Sequence, residues 1–210
     1  CARVGVRESM EFYKEMGYEG IFITNHFLDG NINIAPQVPY AEKIEFFFSD
    51  YEKAAEIGKE LGLKVFCGAE IADGGIEFLV YGLDKAWYLA HPEIMKMKKS
   101  EELPFLMAEG ALVIQAHPFR EANYIDHLEL YPRQVHGVEV VNACRTAEEN
   151  AMAALYATHY GLLHFAGTDN HTVRRKKLAG MCSQEPILDE QDFVNKVKNG
   201  QMEIFTMETP

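Results

Sequence analysis

Side chains able to bind metal ions recur in this sequence just where short apolar runs end. His26 follows Ile21–Asn25, Glu70 follows Val65–Ala69, His117 follows Leu112–Ala116, and Asp169 and His171 follow Phe165–Thr168. Three imidazoles and two carboxylates make a mixed nitrogen and oxygen set, which suits Zn, Mn or Fe better than the all-oxygen cages of Ca. Glu70 has two oxygens with which to bridge two cations, and Asp169-x-His171 can reach one cavity from a single strand end. Two or more cations so held would bring the pKa of a bound water toward neutrality and clamp the oxygens of a phosphoryl group. A single histidine after a strand is more often a hydrogen-bonded structural residue. It is the joint placement of these residues that points to a metal centre.

Asn142 occupies a further position of this kind, after Val138–Val141, and belongs near the same site. Arg120 and Arg145 each lie three residues beyond such a position, at His117 and Asn142. On the same face they are candidates to bind a phosphate bidentately, the alternative being solvated loop residues. The run Arg174-Arg-Lys-Lys177 is expected to be a solvated loop adding positive charge near the site. His91 is expected to open a helix. His127 and His136 fall in a loop, His159 near a helix end, and His164 inside a strand as a core or supporting residue, so all five are read as structural.

Positioning such residues requires strands whose ends converge. Seven strand-length apolar runs are present: Gly20–Thr24, Lys64–Cys67, Ile76–Tyr81, Ala111–Gln115, Gly137–Val141, Leu162–Ala166 and Met202–Thr206. They alternate with helical patterns at Val6–Met16, Ser49–Leu61, Ser100–Glu109, Thr146–Tyr160 and Leu188–Asn199. That alternation is the signature of βα units around a parallel sheet, favouring a barrel-like α/β fold over an open doubly wound sheet. In a barrel of parallel strands, the strand ends meet on one face. Two segments depart from it. Asp73-Gly74-Gly75 predicts a hairpin, and Phe27–Phe48, with Pro36 and Pro39, predicts a long functional loop over the site.

With 210 residues and 48% hydrophobic content, the chain can bury one core, and a single domain over 1–210 is expected. Twenty Lys and Arg against 32 Asp and Glu give a net charge of -12, which disfavours gripping long nucleic acid and favours a small substrate. Cys1, Cys67, Cys144 and Cys182 are widely spaced without CxxC, and no apolar run approaches the roughly 20 residues needed to span a bilayer. A cytoplasmic protein without membrane attachment is the expectation, with oligomeric state open. No GxxxxGK[ST], GxGxxG or GxSxG pattern supports an NTPase, dinucleotide-binding or serine-hydrolase reading.

Ile23-Thr-Asn-His26, Gly68-Ala-Glu70, Ala116-His-Pro118 with Phe119-Arg120, Val138–Asn142 and Gly167-Thr-Asp-Asn-His171 resemble, in order, the motifs of the PHP (polymerase and histidinol phosphatase) superfamily. The resemblance runs from about Val6 to His171. It implies a distorted (β/α)7 barrel, TIM-barrel-like, hydrolysing phosphoesters by metal-activated water. His26, Glu70, His117, Asp169 and His171 take the ligand positions for up to three ions, so two or three divalent metals are expected. The family's first motif, His-x-His, is absent, and Asn25 stands where the family has Asp. We therefore expect the first strand to lie upstream of Cys1. The implied activity is a phosphoesterase acting on a small phosphorylated metabolite or nucleotide. An amidohydrolase-like metal hydrolase and a degenerate, non-catalytic binding domain are the alternatives.

Overall fold

Helix-to-strand units open the chain because each helix stops at a glycine that turns the backbone back toward the sheet. The computed structural model describes residues 4–173 and 175–209. Helix α1 (Val6–Glu15) leads into β1 (Gly20–Ile23), and helix α2 (Tyr40–Leu61) leads into β2 (Lys64–Asp73). The last turn of α2 closes on Gly62 at φ 65°, a left-handed conformation that costs glycine little, and its amide donates to the Gly58 carbonyl. Strand β2 then reverses through Gly74 and Gly75, at φ 58° and 96°, into β3 (Ile76–Tyr81). Two successive positive φ values are what a tight hairpin turn with the right twist demands.

After β3 come α3 (Lys85–Ala90), a 3-10 turn (Pro92–Lys96), α4 (Lys99–Ala108) and β4 (Leu112–Ala116). Strand β5 (Gly137–Asn142), helix α5 (Ala147–Tyr160) and β6 (Leu163–Gly167) follow, then β7 (Lys177–Cys182), α6 (Glu190–Lys198) and β8 (Glu203–Glu208). Strands β1 to β6 form one sheet in sequence order, curled into a half-barrel, while β7 and β8 pair as a separate antiparallel ribbon. The hairpin makes the sheet mixed: β3 runs antiparallel to β2 and β4, and the remaining neighbours are parallel.

All seven expected strands form, and β7 adds an eighth among the described residues. Its sequence, Lys-Leu-Ala-Gly-Met-Cys, is interrupted by glycine and carries little strand signal. Helix α2 begins at Tyr40, nine residues before the expected start, so only 27–39 of the expected loop is loop and 40–48 is helical. The cause is packing: Ile44, Phe47 and Phe48 are buried against the sheet. His91 does not open a helix but lies between α3 and the 3-10 turn, stacked on Trp87 at 4.2 Å. His164 is exposed on β6 rather than buried. Cys67, Cys144 and Cys182 are unpaired, and Cys1 lies outside the described residues. Among the described residues no helix is long and apolar enough to cross a membrane.

The sheet is buried on both faces, and strand alternation sorts the residues between them. Phe78 and Val80 join Phe27, Ile44, Phe48, Leu103 and Leu106 in one core. Leu79 and Tyr81 join Leu112, Ile114, Phe165 and Phe193 in another. By the same alternation Glu77 lies on the Leu79 face, and Glu70, paired with Leu79, lies there too.

The loop that carries Asp29 is anchored by helix α4. Buried Lys99 Nζ donates to Asp29 Oδ2 (2.6 Å) and Glu102 Oε2 (2.7 Å), and the Asp29 Oδ1 atom accepts from the Ala72 amide (3.2 Å). Replacing Lys99 by Met leaves two carboxylates facing each other without a cation. A loss of about 3–5 kcal/mol in unfolding free energy is expected, read by urea denaturation. Tighter still is Gly58, where a Cβ would sit 2.5 Å from the Leu63 carbonyl oxygen and 2.6 Å from Val65 Cγ2. Gly58→Ala should lower stability by about 1–3 kcal/mol, seen as a lower midpoint at unchanged slope.

Candidate metal centre

The hairpin brings two carboxylates of adjacent strands to one point, and β1 and β4 deliver an imidazole each. His26 follows β1 and forms a parallel bridge with Glu70 of β2. The Phe27 amide donates to the Glu70 carbonyl (2.7 Å), and the Glu70 amide to the Asn25 carbonyl (3.0 Å). His26 Nδ1 lies 3.2 Å from Glu70 Oε2 and 3.9 Å from Glu77 Oε1. His117 Nε2 lies 3.1 Å from Glu77 Oε2 and 3.7 Å from Glu70 Oε1. Ligand atoms of His26, Glu70 and Glu77 all fall within 4.8 Å of one another. His26 Nδ1 is buried and, despite its neighbours, makes no hydrogen bond. A buried ring nitrogen without a partner, facing two carboxylates, fits a cation. Gly30 makes room for this arrangement: a Cβ there would come within 2.9 Å of His26 Cβ.

Asp169 and His171 stand beside this group rather than inside it. They pair with each other, His171 Nδ1 lying 3.3 Å from Asp169 Oδ1. Asn142 links the two halves, its Nδ2 donating to Glu139 Oε2 (3.0 Å) and Asp169 Oδ2 (3.3 Å). Glu139 Oε2 also accepts from the His117 amide (3.0 Å). His26, Glu70, His117, Asp169 and His171 thus line one region, and Asn142 lies between its two halves. Among the described residues the only non-glycine positive φ angles are at His117 (24°) and Asp169 (52°). Backbone strain of this kind costs about 1–3 kcal/mol per residue and persists where the surroundings enforce it. Here it falls on two of the five.

Electrostatics follow from crowding. Burial pushes the Glu139 carboxyl up to about 7, against the pull of His117 and Asn142. Burial alone would lower His117, but hydrogen bonds to Glu70 and Glu77 and the charge of Glu139 raise it to about 10. Burial would also raise Glu77; His117, Arg120 and His26 together hold it below the usual carboxylate range. The crowded carboxylates therefore favour the protonated form of His117.

Glu77 and Glu139 were missed in the sequence. Both are buried acids inside apolar strands, Ile-Glu-Phe-Leu-Val-Tyr and Gly-Val-Glu-Val-Val-Asn. A charge at an inward position of a buried strand was the signal that could have found them. Arg120 reaches the site but is engaged there: Nη1 donates to Glu77 Oε2 (2.8 Å) and Nη2 to the Gly75 carbonyl (2.9 Å). Arg145 lines the adjoining cavity of about 520 Å³. The expected solvated loop at 174–177 is corrected: Arg175 faces that cavity half-buried and Lys177 belongs to β7, while Arg174 lies outside the described residues. A second, larger channel of about 880 Å³ reaches the centre between α1, β1, β6 and β7. His136 is structural as expected, its Nδ1 accepting from the Val113 amide.

By sequence the chain matches no family model and no curated protein. Its fold does match solved structures. A two-domain protein from Bacteroides vulgatus, described as containing a predicted PHP-like metal-dependent phosphoesterase, aligns with a TM-score of 0.68 at 13% identity. That alignment covers 97% of this chain and 60% of the other, so the chain spans about three fifths of its length. A protein from Bifidobacterium adolescentis, proposed to be a metal-dependent phosphoesterase, aligns with a TM-score of 0.55 at 15% identity over 81% of this chain and 83% of that one. PsfC from Pseudomonas syringae aligns with a TM-score of 0.57 at 14% identity, over 95% and 81% respectively. In its fold, the chain is similar to proteins described as PHP-like or metal-dependent phosphoesterases.

Proposed function

We propose that this chain is a metal-dependent phosphoesterase acting on a small phosphorylated metabolite or nucleotide. The observation that carries the reading is the convergence of His26, Glu70 and Glu77 about a buried, unpartnered ring nitrogen. In this reading His26, Glu70, Glu77 and His117 hold one part of a centre for two or three divalent ions (Zn, Mn or Fe), and Asp169 and His171 another. Ions bound there would supply an activated water and neutralise charge on the phosphoryl oxygens. The chain's own groups set the geometry. Arg120 braces Glu77, and Asn142 orients Glu139 and Asp169 with one amide nitrogen. Such supporting contacts fix ligand orientation.

The finer architecture is part of the proposal: a distorted (β/α)7 barrel, in a single domain, whose further strand lies between the free edges of β1 and β6. Those edges flank the 880 Å³ channel, and the channel opens onto the centre.

Metal content and phosphate release by the full-length natural protein test the function. Wild-type protein should retain divalent metal and release phosphate, and His117→Ala should lower kcat/KM at least about 100-fold. Turnover unchanged in both His26→Ala and His117→Ala, or cleavage of amides with no phosphate release, would overturn it. A gentler probe is Gly30→Ala, whose methyl displaces His26. It should shed metal to a chelator about 10-fold faster than wild type, with an unchanged circular dichroism spectrum.

A further inference from the structure

Arg145 and Arg175 line the 520 Å³ cavity beside the candidate metal centre without a carboxylate of their own. They line it together with His26, Glu70, Glu77 and Asp169. The Nε atoms of both are buried and unpartnered, and among the described residues neither side chain makes an ion pair or hydrogen bond. They come from different parts of the chain, Arg145 from the turn between β5 and α5 and Arg175 from the segment before β7. Both line the same cavity beside Cys144. Their supports are made by the fold. Cys144 Sγ donates to the Thr168 (2.9 Å) and Asp169 (3.1 Å) carbonyls, tying the Arg145 turn to the residues that follow β6. Thr209 Oγ1 donates to the Arg175 carbonyl (2.7 Å), tying that segment to the end of β8.

Two like charges brought together half-buried repel each other and lose hydration. The third arginine of the cavity shows the contrast, since Arg120 is satisfied by Glu77 and Gly75. Carboxylates of the centre do not answer for the other two, because cations bound there would take up their charge. An anion from outside the chain does. Planar guanidinium groups match the oxygens of a phosphoryl group in pairs. Two of them match its charge as well: a phosphate monoester is largely dianionic at neutral pH, with a second pKa near 6, whereas a diester carries one charge.

We propose that Arg145 and Arg175 form an anion subsite that holds the terminal phosphoryl group of a phosphate monoester, so that the centre prefers monoesters to diesters. This inference rests on the phosphoesterase reading. It adds Arg175, which nothing in the sequence motifs singles out, and narrows the substrate class.

The test compares the Mn-loaded full-length protein with Arg145→Gln, Arg175→Gln and the double variant. Two readouts are used: kcat/KM on p-nitrophenyl phosphate and on bis-p-nitrophenyl phosphate, and calorimetric binding of inorganic phosphate. Each single variant should lose about 10–100-fold on the monoester and less than about 3-fold on the diester, with phosphate affinity falling in step. Thermal melting checks the fold of each variant, and Arg175→Lys, which keeps the charge but not the fork, should fall between. Equal losses on both esters, or phosphate affinity unchanged in the double variant, would overturn the subsite. Wild-type protein that cleaves neither ester would overturn the phosphoesterase reading instead. Phosphate binding abolished in the double variant would still support the subsite in that case.

Discussion

Four carboxylates, Glu70, Glu77, Glu139 and Asp169, are brought to the rim of a buried apolar face, and the rest of the structure accommodates their mutual repulsion. Like charges at short range in a poorly solvated place cannot all remain ionised without cations. The fold answers in three ways. It inserts Arg120 beside Glu77, it spreads one amide of Asn142 across Glu139 and Asp169, and it draws a proton toward His117 and Glu139. These responses are partial, and His26, Glu70 and Glu77 remain a group that could hold a cation.

The β2–β3 hairpin is what creates the crowding. An all-parallel sheet would bring carboxylates from strand ends alone, but the reversal at Gly74-Gly75 sets Glu77 diagonally across from Glu70, two residues along an antiparallel register. Diagonal neighbours on one face lie within reach of long side chains. The same reversal places the Gly75 carbonyl where Arg120 can use it. The irregular strand is thus the part of the sheet that builds the site.

This also explains which features were legible beforehand. Strand runs and their caps follow short-range periodicity, so all seven expected strands and the hairpin turn could be read from residue types alone. That His26, Glu70, His117, Asp169 and His171 come together in one region was legible because each sits just past an apolar run. Glu77 and Glu139 were not, since they lie inside strands and gain meaning only from cross-strand register, a non-local property. Arg175 was hidden for a related reason. A basic run reads as solvated until the fold turns one member of it inward. The early start of α2 escaped because Pro39 and a mixed pattern mask residues that only tertiary burial of Phe47 and Phe48 makes helical.

Strain and bracing then fall into one scheme. The left-handed backbones at His117 and Asp169 oppose ordinary preference, and each is held by contacts already committed to the centre. Glu139 accepts from the His117 amide, and Asp169 is gripped by Asn142 and by the Cys144 thiol at its carbonyl. Thr168, one residue earlier, exchanges hydrogen bonds with Ala179 of β7, its Oγ1 donating to the carbonyl (2.8 Å) and accepting from the amide (3.1 Å). The β7–β8 ribbon therefore does more than close the chain. By fixing Thr168 and, through Thr209, Arg175, it sets the positions of one carboxylate and one guanidinium that line the same cavity. The proposed arrangement of bound cations and a bound anion needs its carboxylates and guanidinium groups held apart by such a frame. Side chains free to move would collapse onto each other as ion pairs.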